Sequence, residues 1–223
     1  MTVDIDANLQ SFLDRRSRGA RYASFDYCFN YFQEARESGQ TAQLADDDRL
    51  LTSCLQVGFY LASWGMLRPS GDLLQRSVRE FAPVVELIAA EPPATWELDV
   101  SGYATATGEV LALGRRVHKA FSVNASDTLV TKTMLGVFGC VPAFDRYFRI
   151  GFGCHSLCKD ALNRIGKSYE RNRDKIDAYQ IFTLDFITGD DTERQYTKAK
   201  IIDMIFFEEG RRLDDDTPGP PTL

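Results

Sequence analysis

Apolar residues recur along most of the chain with the spacing of one face of an α-helix. In residues 25–32 they fall at i, i+3, i+4 and i+7, and residues 51–59 repeat the pattern. Ser70 is a suitable cap for a third helix through about Ala90. The same spacing predicts further helices over about 109–121, 128–138, from about 144, 156–178 and 196–207. Residues 179–187 alternate enough for a short strand, and a helix is equally compatible there. We therefore expect an all-α fold with at most one short hairpin.

Two stretches lack this periodicity. Residues 91–109, EPPATWELDVSGYATATGE, carry paired prolines and repeated Gly and Ser, which predicts a loop connecting two lobes. The last ten residues, 214–223, predict a flexible tail. No internal repeat is present. We therefore expect a single helical domain over 1–213 with a cleft between its two lobes.

The segment TLVTKTMLGVFGCVPAFDRYF (128–148) contains a break inside an apolar helical run. Pro142 cannot donate a backbone hydrogen bond, and the residue before a proline is pushed away from helical geometry. The helix from Thr128 should therefore end at about Gly139, and Asp145 should lie in the first turn of a new helix. The positive end of the helix dipole favours a carboxylate there. Asp145 is then either a plain helix cap or an acid held at the mouth of a cleft.

Charge is distributed unevenly along the 223 residues, whose formal net charge is −6. Residues 101–175 contain twelve Lys and Arg against six Asp and Glu, a balance of +6, which leaves −12 for the rest. A basic middle in an acidic chain is compatible with phosphate contact on one face. Segregation of charge among solvated helix faces is the alternative.

The composition is that of a folded globular protein, with 44% hydrophobic and 12% aromatic residues. Its five cysteines, an odd number, favour reduced thiols, and the acidic N-terminus has no apolar signal core. No apolar run approaches the length of a membrane span. We expect a cytoplasmic monomer without a membrane or cofactor requirement.

The segment LVTKTMLGVFGCVPAFDRYF, within residues 109–150, resembles the helix-hairpin-helix DNA glycosylase superfamily: a second hairpin helix, a short proline-containing link and a signature Asp. The resemblance implies a two-lobed enzyme that flips a damaged or modified base out of double-stranded DNA and hydrolyses its N-glycosidic bond. VNASD replaces the family's glycine-rich hairpin. Lys132, thirteen residues before Asp145, is too late to be the lysine nucleophile of bifunctional members, and their four-cysteine cluster pattern is missing. A monofunctional glycosylase is therefore expected, for example one acting on modified cytosine in phage DNA as part of phage defence.

Asp145 is the catalytic residue that the resemblance implies, because a carboxylate near C1′ stabilises the positive sugar of the transition state. A polar turn opening a helix offers N–H groups to phosphate. The predicted DNA-binding residues are Ser126, Thr128, Thr131, Lys132, Arg146 and Arg149. The predicted base pocket, which would hold a flipped base between aromatic faces and read its edge, comprises Asp26, Tyr27, Asn30, Trp64, Arg68 and Phe144. Aromatic residues at helical spacing are more often core.

The sequence offers less support for metal sites, nucleotide-binding motifs and other kinds of active site. CHSLC (154–158) has two thiols and a histidine, but Cys140 and His118 would have to complete a zinc site, so no metal is predicted. The acids of 185–193 are those of a polar turn. Walker, nucleophile-elbow and dinucleotide motifs are missing, and two histidines supply a histidine-based nuclease poorly. Two alternatives to a glycosylase stay open: a non-catalytic helical nucleic-acid-binding or interaction module, and a helical RNase of the abortive-infection type.

Overall fold

The computed structural model describes residues 3–68 and 72–215. Helices dominate, and the described strands form one two-stranded sheet, so the predicted all-α fold with a short hairpin is confirmed. The α-helices are α1 (Ile5–Leu13), α2 (Ser24–Glu37), α3 (Leu50–Ser63), α4 (Ala82–Ala90), α5 (Pro93–Trp96), α6 (Tyr103–Ala120), α7 (Asp127–Phe138), α8 (Arg146–Phe152), α9 (Lys159–Arg171), α10 (Arg173–Asp177) and α11 (Lys198–Asp215). The strands are β1 (Phe182–Leu184) and β2 (Asp191–Gln195), which pair antiparallel.

Periodic apolar faces form the core as expected. The stripe of α2 is buried from Phe25 to Phe32, and α2 packs against α3 and α7. Helix α7 is buried along nearly all of its length, from Leu129 to Phe138. Since α7 is enclosed, it fixes the position of whatever follows its C-terminus. A helix with this degree of burial is stabilised by tertiary packing rather than by its own propensity.

The closest helix contact joins α8 to α11. An added Cβ on Gly210 would lie 1.8 Å from the carbonyl oxygen of Tyr147, and one on Gly151 would lie 2.1 Å from that of Phe206. Backbone therefore meets backbone, which only residues without a side chain allow. This contact fixes α8, and with it the residue that caps α8.

Two of the predicted helices have other boundaries in the structure. The third helix begins at Ala82 rather than near Ser70, which lies outside the described residues. Pro83 is tolerated only in the first turn of a helix, so 72–81 form two 3₁₀ turns instead. The helix predicted over 156–178 is divided at Asn172 into α9 and α10.

The 91–109 connection is also more ordered than its composition predicts. Pro93 opens the short helix α5, and Asp99 accepts a hydrogen bond from the N–H of Val100 at the head of a 3₁₀ turn. Helix α6 then begins at Tyr103, so Gly108 lies inside a helix. At the other end, α11 continues through Asp215, and residues 216–223 lie outside the described part of the chain. The division into two lobes stays a prediction. No helix among the described residues has the length and apolar character that crossing a membrane requires.

A cationic cavity around Asp145

Hydrogen bonds from side chains elsewhere in the chain fix the backbone of the break between α7 and α8. Helix α7 ends at Phe138 and Gly139 adopts the left-handed conformation, φ 66°. The carbonyl oxygen of Gly139 accepts a hydrogen bond from Thr197 Oγ1 at 2.6 Å, and that of Cys140 accepts one from the Tyr103 hydroxyl at 2.7 Å. The predicted end of the helix is therefore confirmed, and the turn that follows is anchored to two other helical segments.

The last residues of the break are anchored in the same way. The N–H of Ala143 donates to Asp203 Oδ1 at 2.9 Å, and the N–H of Phe144 donates to Thr131 Oγ1 at 2.8 Å. Thr128 Oγ1 donates to the carbonyl oxygen of Phe144 at 2.8 Å. Because buried backbone groups need partners, these bonds leave little freedom in where the chain emerges.

Asp145 emerges from this break as the N-cap of α8. Its Oδ1 accepts a hydrogen bond from the N–H of Phe148 at 3.0 Å, and its Oδ2 accepts one from Lys132 Nζ at 2.9 Å. The predicted place of Asp145 at the start of a new helix is confirmed. A carboxylate has about four lone-pair sites, and these two bonds occupy two of them. Asp145 is thus a cap, a member of an ion pair and a carboxylate with unused acceptor capacity.

Asp145 borders a cavity of about 460 Å³. The cavity is lined by five cationic side chains, one carboxylate and three large aromatic side chains. The cationic side chains are those of Arg21, Arg68, Lys132, Arg146 and Arg149, and the aromatic ones are Trp64, Tyr147 and Phe207. The volume lies within the range of small-molecule sites. Its walls carry a large excess of positive charge over the single Asp145.

Lys132 lies on the inner wall of this cavity. Its side chain is 5% exposed, compared with 15% for Asp145. The ammonium lies 5.0 Å from the centre of the Trp64 ring, a cation–π distance. Lys132 was predicted to bind DNA, and its burial limits it to a ligand that enters the cavity.

Seven predicted site residues line this cavity together: Trp64, Arg68, Thr128, Lys132, Asp145, Arg146 and Arg149. Ser126 and Thr131 do not. Ser126 Oγ caps α7 by accepting from the N–H of Leu129 at 3.3 Å, and Thr131 is buried where it holds the break. Their hydroxyls act on the backbone of α7 and the turn, as is usual for Ser and Thr near helix starts.

Four residues predicted for the base pocket lie elsewhere. Phe144 is fully buried against Phe148. Asn30 donates to the carbonyl oxygen of Leu184 in β1 at 3.0 Å, and the Tyr27 hydroxyl donates to that of Arg18 at 2.9 Å. Asn30 and Tyr27 thus connect α2 to β1 and to the segment that precedes α2.

The fourth, Asp26, is fully buried beside Arg16 and the hydroxyl of Tyr196, which donates to it. Burial raises the pKa of Asp26 to about 6, against the opposing effect of Arg16. The other carboxylate oxygen, Oδ2, lies 3.8 Å from Arg16 and has no hydrogen-bond partner within the described chain. Asp26 is therefore a core acid.

A second buried ion pair, between Lys200 and Asp203, lies next to the break before α8, because Asp203 also accepts the hydrogen bond from Ala143. Lys200 Nζ lies 3.1 Å from Asp203 Oδ2, and both side chains are less than 10% exposed. Burial raises the pKa of Asp203, nearby Lys200 opposes this, and the negative charge of Asp145 adds to it. Lys200 also lies over the ring of Phe25 at 4.6 Å. The only sequence sign of this pair is a Lys three residues before an Asp on a buried helix.

Metal-ligating residues do not converge in the described ranges 3–68 and 72–215, where no three of His, Cys, Asp and Glu are grouped to hold an ion. Cys154 is buried and Cys158 is the exposed N-cap of α9, so the two thiols of CHSLC do not lie on one helical face. Asp185 instead accepts hydrogen bonds from the N–H groups of Ile187 and Thr188 in the hairpin turn.

Sequence reasoning missed Arg21, Tyr147 and Phe207. Arg21 belongs to a run of arginines in RRSRGAR (15–21), a local basic signal outside the basic middle of the chain. It lies over Trp64 at 5.3 Å. Tyr147 and Phe207 meet edge to face at 5.3 Å between ring centres, a pairing of α8 with α11 that only the folded chain reveals.

The arrangement can bind an anionic or acceptor-rich molecule and place a fixed carboxylate against it. Neither a protein-family model nor a curated protein nor a solved structure matches this chain, so its function has to be inferred from the cavity itself.

Proposed function

We propose that the protein is a monofunctional DNA glycosylase that excises a modified or damaged base with Asp145 as its catalytic carboxylate. The observation that supports this most is the fixed carboxylate of Asp145 at the wall of a cationic, aromatic cavity. Base-excising enzymes take the target nucleotide out of the stack into such a pocket. The glycosylase-like segment noted in the sequence is the part of the chain that builds this wall.

The electrostatics suit a reaction that develops positive charge. As the C1′–N bond breaks, its electron pair leaves with the base and the sugar becomes an oxocarbenium-like cation. A carboxylate held close to C1′ stabilises that cation, and a preorganised group of this kind is typically worth about a hundredfold or more in rate. Asp145 is preorganised because Phe148 and Lys132 fix both of its oxygens.

Hydrolysis is completed by water. A water oxygen bonds to C1′, its proton passes to a free lone pair of Asp145 and then to solvent, and the departed base takes up a proton in turn. The cavity cations are well suited to hold the phosphates on either side of the flipped nucleotide, because phosphate contacts position a protein on DNA without reading sequence. Lys132 is paired with the acid, and the chemistry needs no covalent lysine intermediate.

A second function has its own support. Both oxygens of Asp145 already accept hydrogen bonds, as expected for a residue whose role is structural. The chain would then be a non-catalytic nucleic-acid-binding module in which the cavity holds a nucleotide. The two functions differ in a single observable, the appearance of abasic sites in DNA.

The experiment is incubation of the protein with duplex oligonucleotides that each carry one modified base, including substituted cytosines, followed by alkali to cleave abasic sites. We expect strand breaks with at least one base for the wild-type chain. Asp127→Asn is the matched control for Asp145→Asn. Asp127 also accepts a hydrogen bond from a backbone N–H near a helix start, that of Leu157 at 2.9 Å, but it does not line this cavity. Tight binding without abasic sites across the panel would favour the binding module.

A further inference from the structure

Three guanidinium groups that line the cavity have no carboxylate partner within the described chain, although Arg68 Nε donates to the carbonyl oxygen of Gly65 at 2.8 Å and Arg149 Nη2 lies 3.4 Å from Thr128 Oγ1. Outside the cavity, Arg116 binds Glu91 through two nitrogens at 2.6 and 2.7 Å. Arg146, which does line the cavity, pairs with Asp214 at 2.7 Å. Within the described chain, Arg21, Arg68 and Arg149 form no ion pair with a carboxylate. Unpaired cations that share one cavity repel each other, so their convergence carries an energetic cost.

The hydrogen-bonding inventory of the cavity is one-sided. Lys132 spends one of its three N–H donors on Asp145. The Nε–H of Arg149 and the indole N–H of Trp64 are buried and find no acceptor among the described residues. Both groups can only donate. Asp145, the one acid that lines the cavity, carries a single negative charge, so it does not balance Lys132 and the three arginines together.

A ligand that satisfies this cavity has to bring acceptors and negative charge. Arginine and lysine together are typical of phosphate sites, where guanidinium groups bind two oxygens at once and the ammonium acts as a point charge. The donors come from four parts of the chain: Arg21 before α2, Arg68 after α3, Lys132 on α7 and Arg149 on α8. Donors that approach from several segments fit an oxyanion with oxygens in several directions better than a planar carboxylate.

We infer that the cavity binds a phosphate group through Arg21, Arg68, Lys132 and Arg149. The group is either a phosphodiester of a nucleic acid or the phosphate of a free phosphorylated small molecule. This inference goes beyond base excision, because it names the chemical group that the cavity holds whether or not any bond is cleaved. It also assigns a binding role to Arg21, which lies far from the basic middle of the sequence.

Trp64 provides a direct optical probe. The chain has two tryptophans, and Trp96 packs against Phe138 away from the cavity. In a Trp96→Phe variant, the fluorescence of Trp64 reports events at the cavity alone. The titrants are inorganic phosphate, pyrophosphate, deoxycytidine and deoxycytidine 5′-monophosphate, all at one ionic strength set with chloride. Calorimetric titration of the unaltered chain repeats each measurement without any dependence on the folding of the variant.

Arg149→Gln and Arg21→Gln are the test variants, and Arg171→Gln on α9, an exposed arginine outside the cavity, is the control. We expect the nucleotide to bind and the nucleoside not to bind at the same concentration. Each test variant should weaken nucleotide binding by about tenfold or more, as expected for loss of a charge-assisted hydrogen bond. The control should bind as the wild type does.

Short single- and double-stranded oligonucleotides identify the source of the phosphate. Tighter binding of either oligonucleotide than of the mononucleotide supports a phosphodiester, and the reverse order supports a free phosphorylated molecule. Equal binding of nucleoside and nucleotide, or no loss of affinity in Arg149→Gln and Arg21→Gln, would overturn the inference. Neither result depends on whether abasic sites form, so the phosphate site and the glycosylase proposal can fail separately.

Discussion

Replacing Asp145 separates its three roles, because two substitutions remove different contacts. Asparagine keeps an oxygen that can accept from the N–H of Phe148, so Asp145→Asn retains the helix cap and removes only the charge. Alanine removes the cap as well. In both variants the ammonium of Lys132 loses its carboxylate.

The magnitudes follow from burial. Breaking a fully buried ion pair from one side typically costs about 3–5 kcal/mol, because the remaining charge is left without a partner. Lys132 is 5% exposed, but Asp145 is 15% exposed and borders an open cavity, so water recovers part of the loss. We expect Asp145→Asn to lower the free energy of unfolding by about 2 kcal/mol. Loss of the cap in Asp145→Ala should lower it by about 1 kcal/mol more.

Urea denaturation followed by circular dichroism measures these differences. Lys132→Met, introduced into Asp145→Asn, should restore about 1 kcal/mol, because it removes the unpaired ammonium and keeps an apolar stem against Trp64. Asp127→Asn, which removes no ion pair of the described chain, should stay within about 0.5 kcal/mol of the wild type. The reasoning is refuted if Asp145→Asn is as stable as the wild type, or if Asn and Ala at position 145 cost the same.

Three further predictions concern the scaffold, the core and DNA. Gly210→Ala should destabilise the chain by about 1–3 kcal/mol in the same urea assay, because its Cβ would meet the Tyr147 carbonyl. The control Gly108→Ala, whose Cβ would enter open space beside α6, should not destabilise it. Equal stability of the two variants would contradict the close contact of α8 and α11. The pKa of Asp26 is raised by burial from an ordinary value of 3.8 to about 6, so between pH 3.8 and 6 the folded chain holds a proton on Asp26 that the unfolded chain has lost. Stability relative to Asp26→Asn should therefore be greatest below pH 4 and fall by roughly 3 kcal/mol as pH rises through 6; a flat difference between pH 4 and 7 in thermal or urea unfolding would exclude this. DNA affinity, measured by fluorescence anisotropy, should fall steeply with salt, and Arg21→Gln should reduce both the affinity for all sequences and the slope; an association independent of salt would exclude phosphate contact.

The local part of the site follows from sequence because its causes are local. Pro142 and Gly139 end one helix, and Asp145 caps the next, through effects that act within a few residues. The predicted boundaries are wrong where hydrophobic periodicity was followed across a residue that does not favour the interior of a helix. Pro83 shortens α4 to a start at Ala82, and Asn172 divides the helix that periodicity predicts as continuous.

The rest of the site depends on contacts far apart in sequence. Lys132 was predicted only as a DNA-binding residue, and its burial beside Trp64 becomes evident only when α7 is packed. Arg21 and Phe207 reach the cavity from opposite ends of the chain. The Asp203 carboxylate that holds Ala143 lies sixty residues away, so no spacing rule connects the two.

Single-turnover kinetics tests whether Asp145 performs base excision inside the cationic cavity. A duplex whose base is released by the wild-type chain is mixed with excess wild-type protein or with Asp145→Asn, and abasic sites are counted over time while binding of the same duplex is measured in parallel. We expect Asp145→Asn to bind the duplex at least as well as the wild type and to excise the base at least about a hundredfold more slowly. Undiminished excision by Asp145→Asn would contradict it.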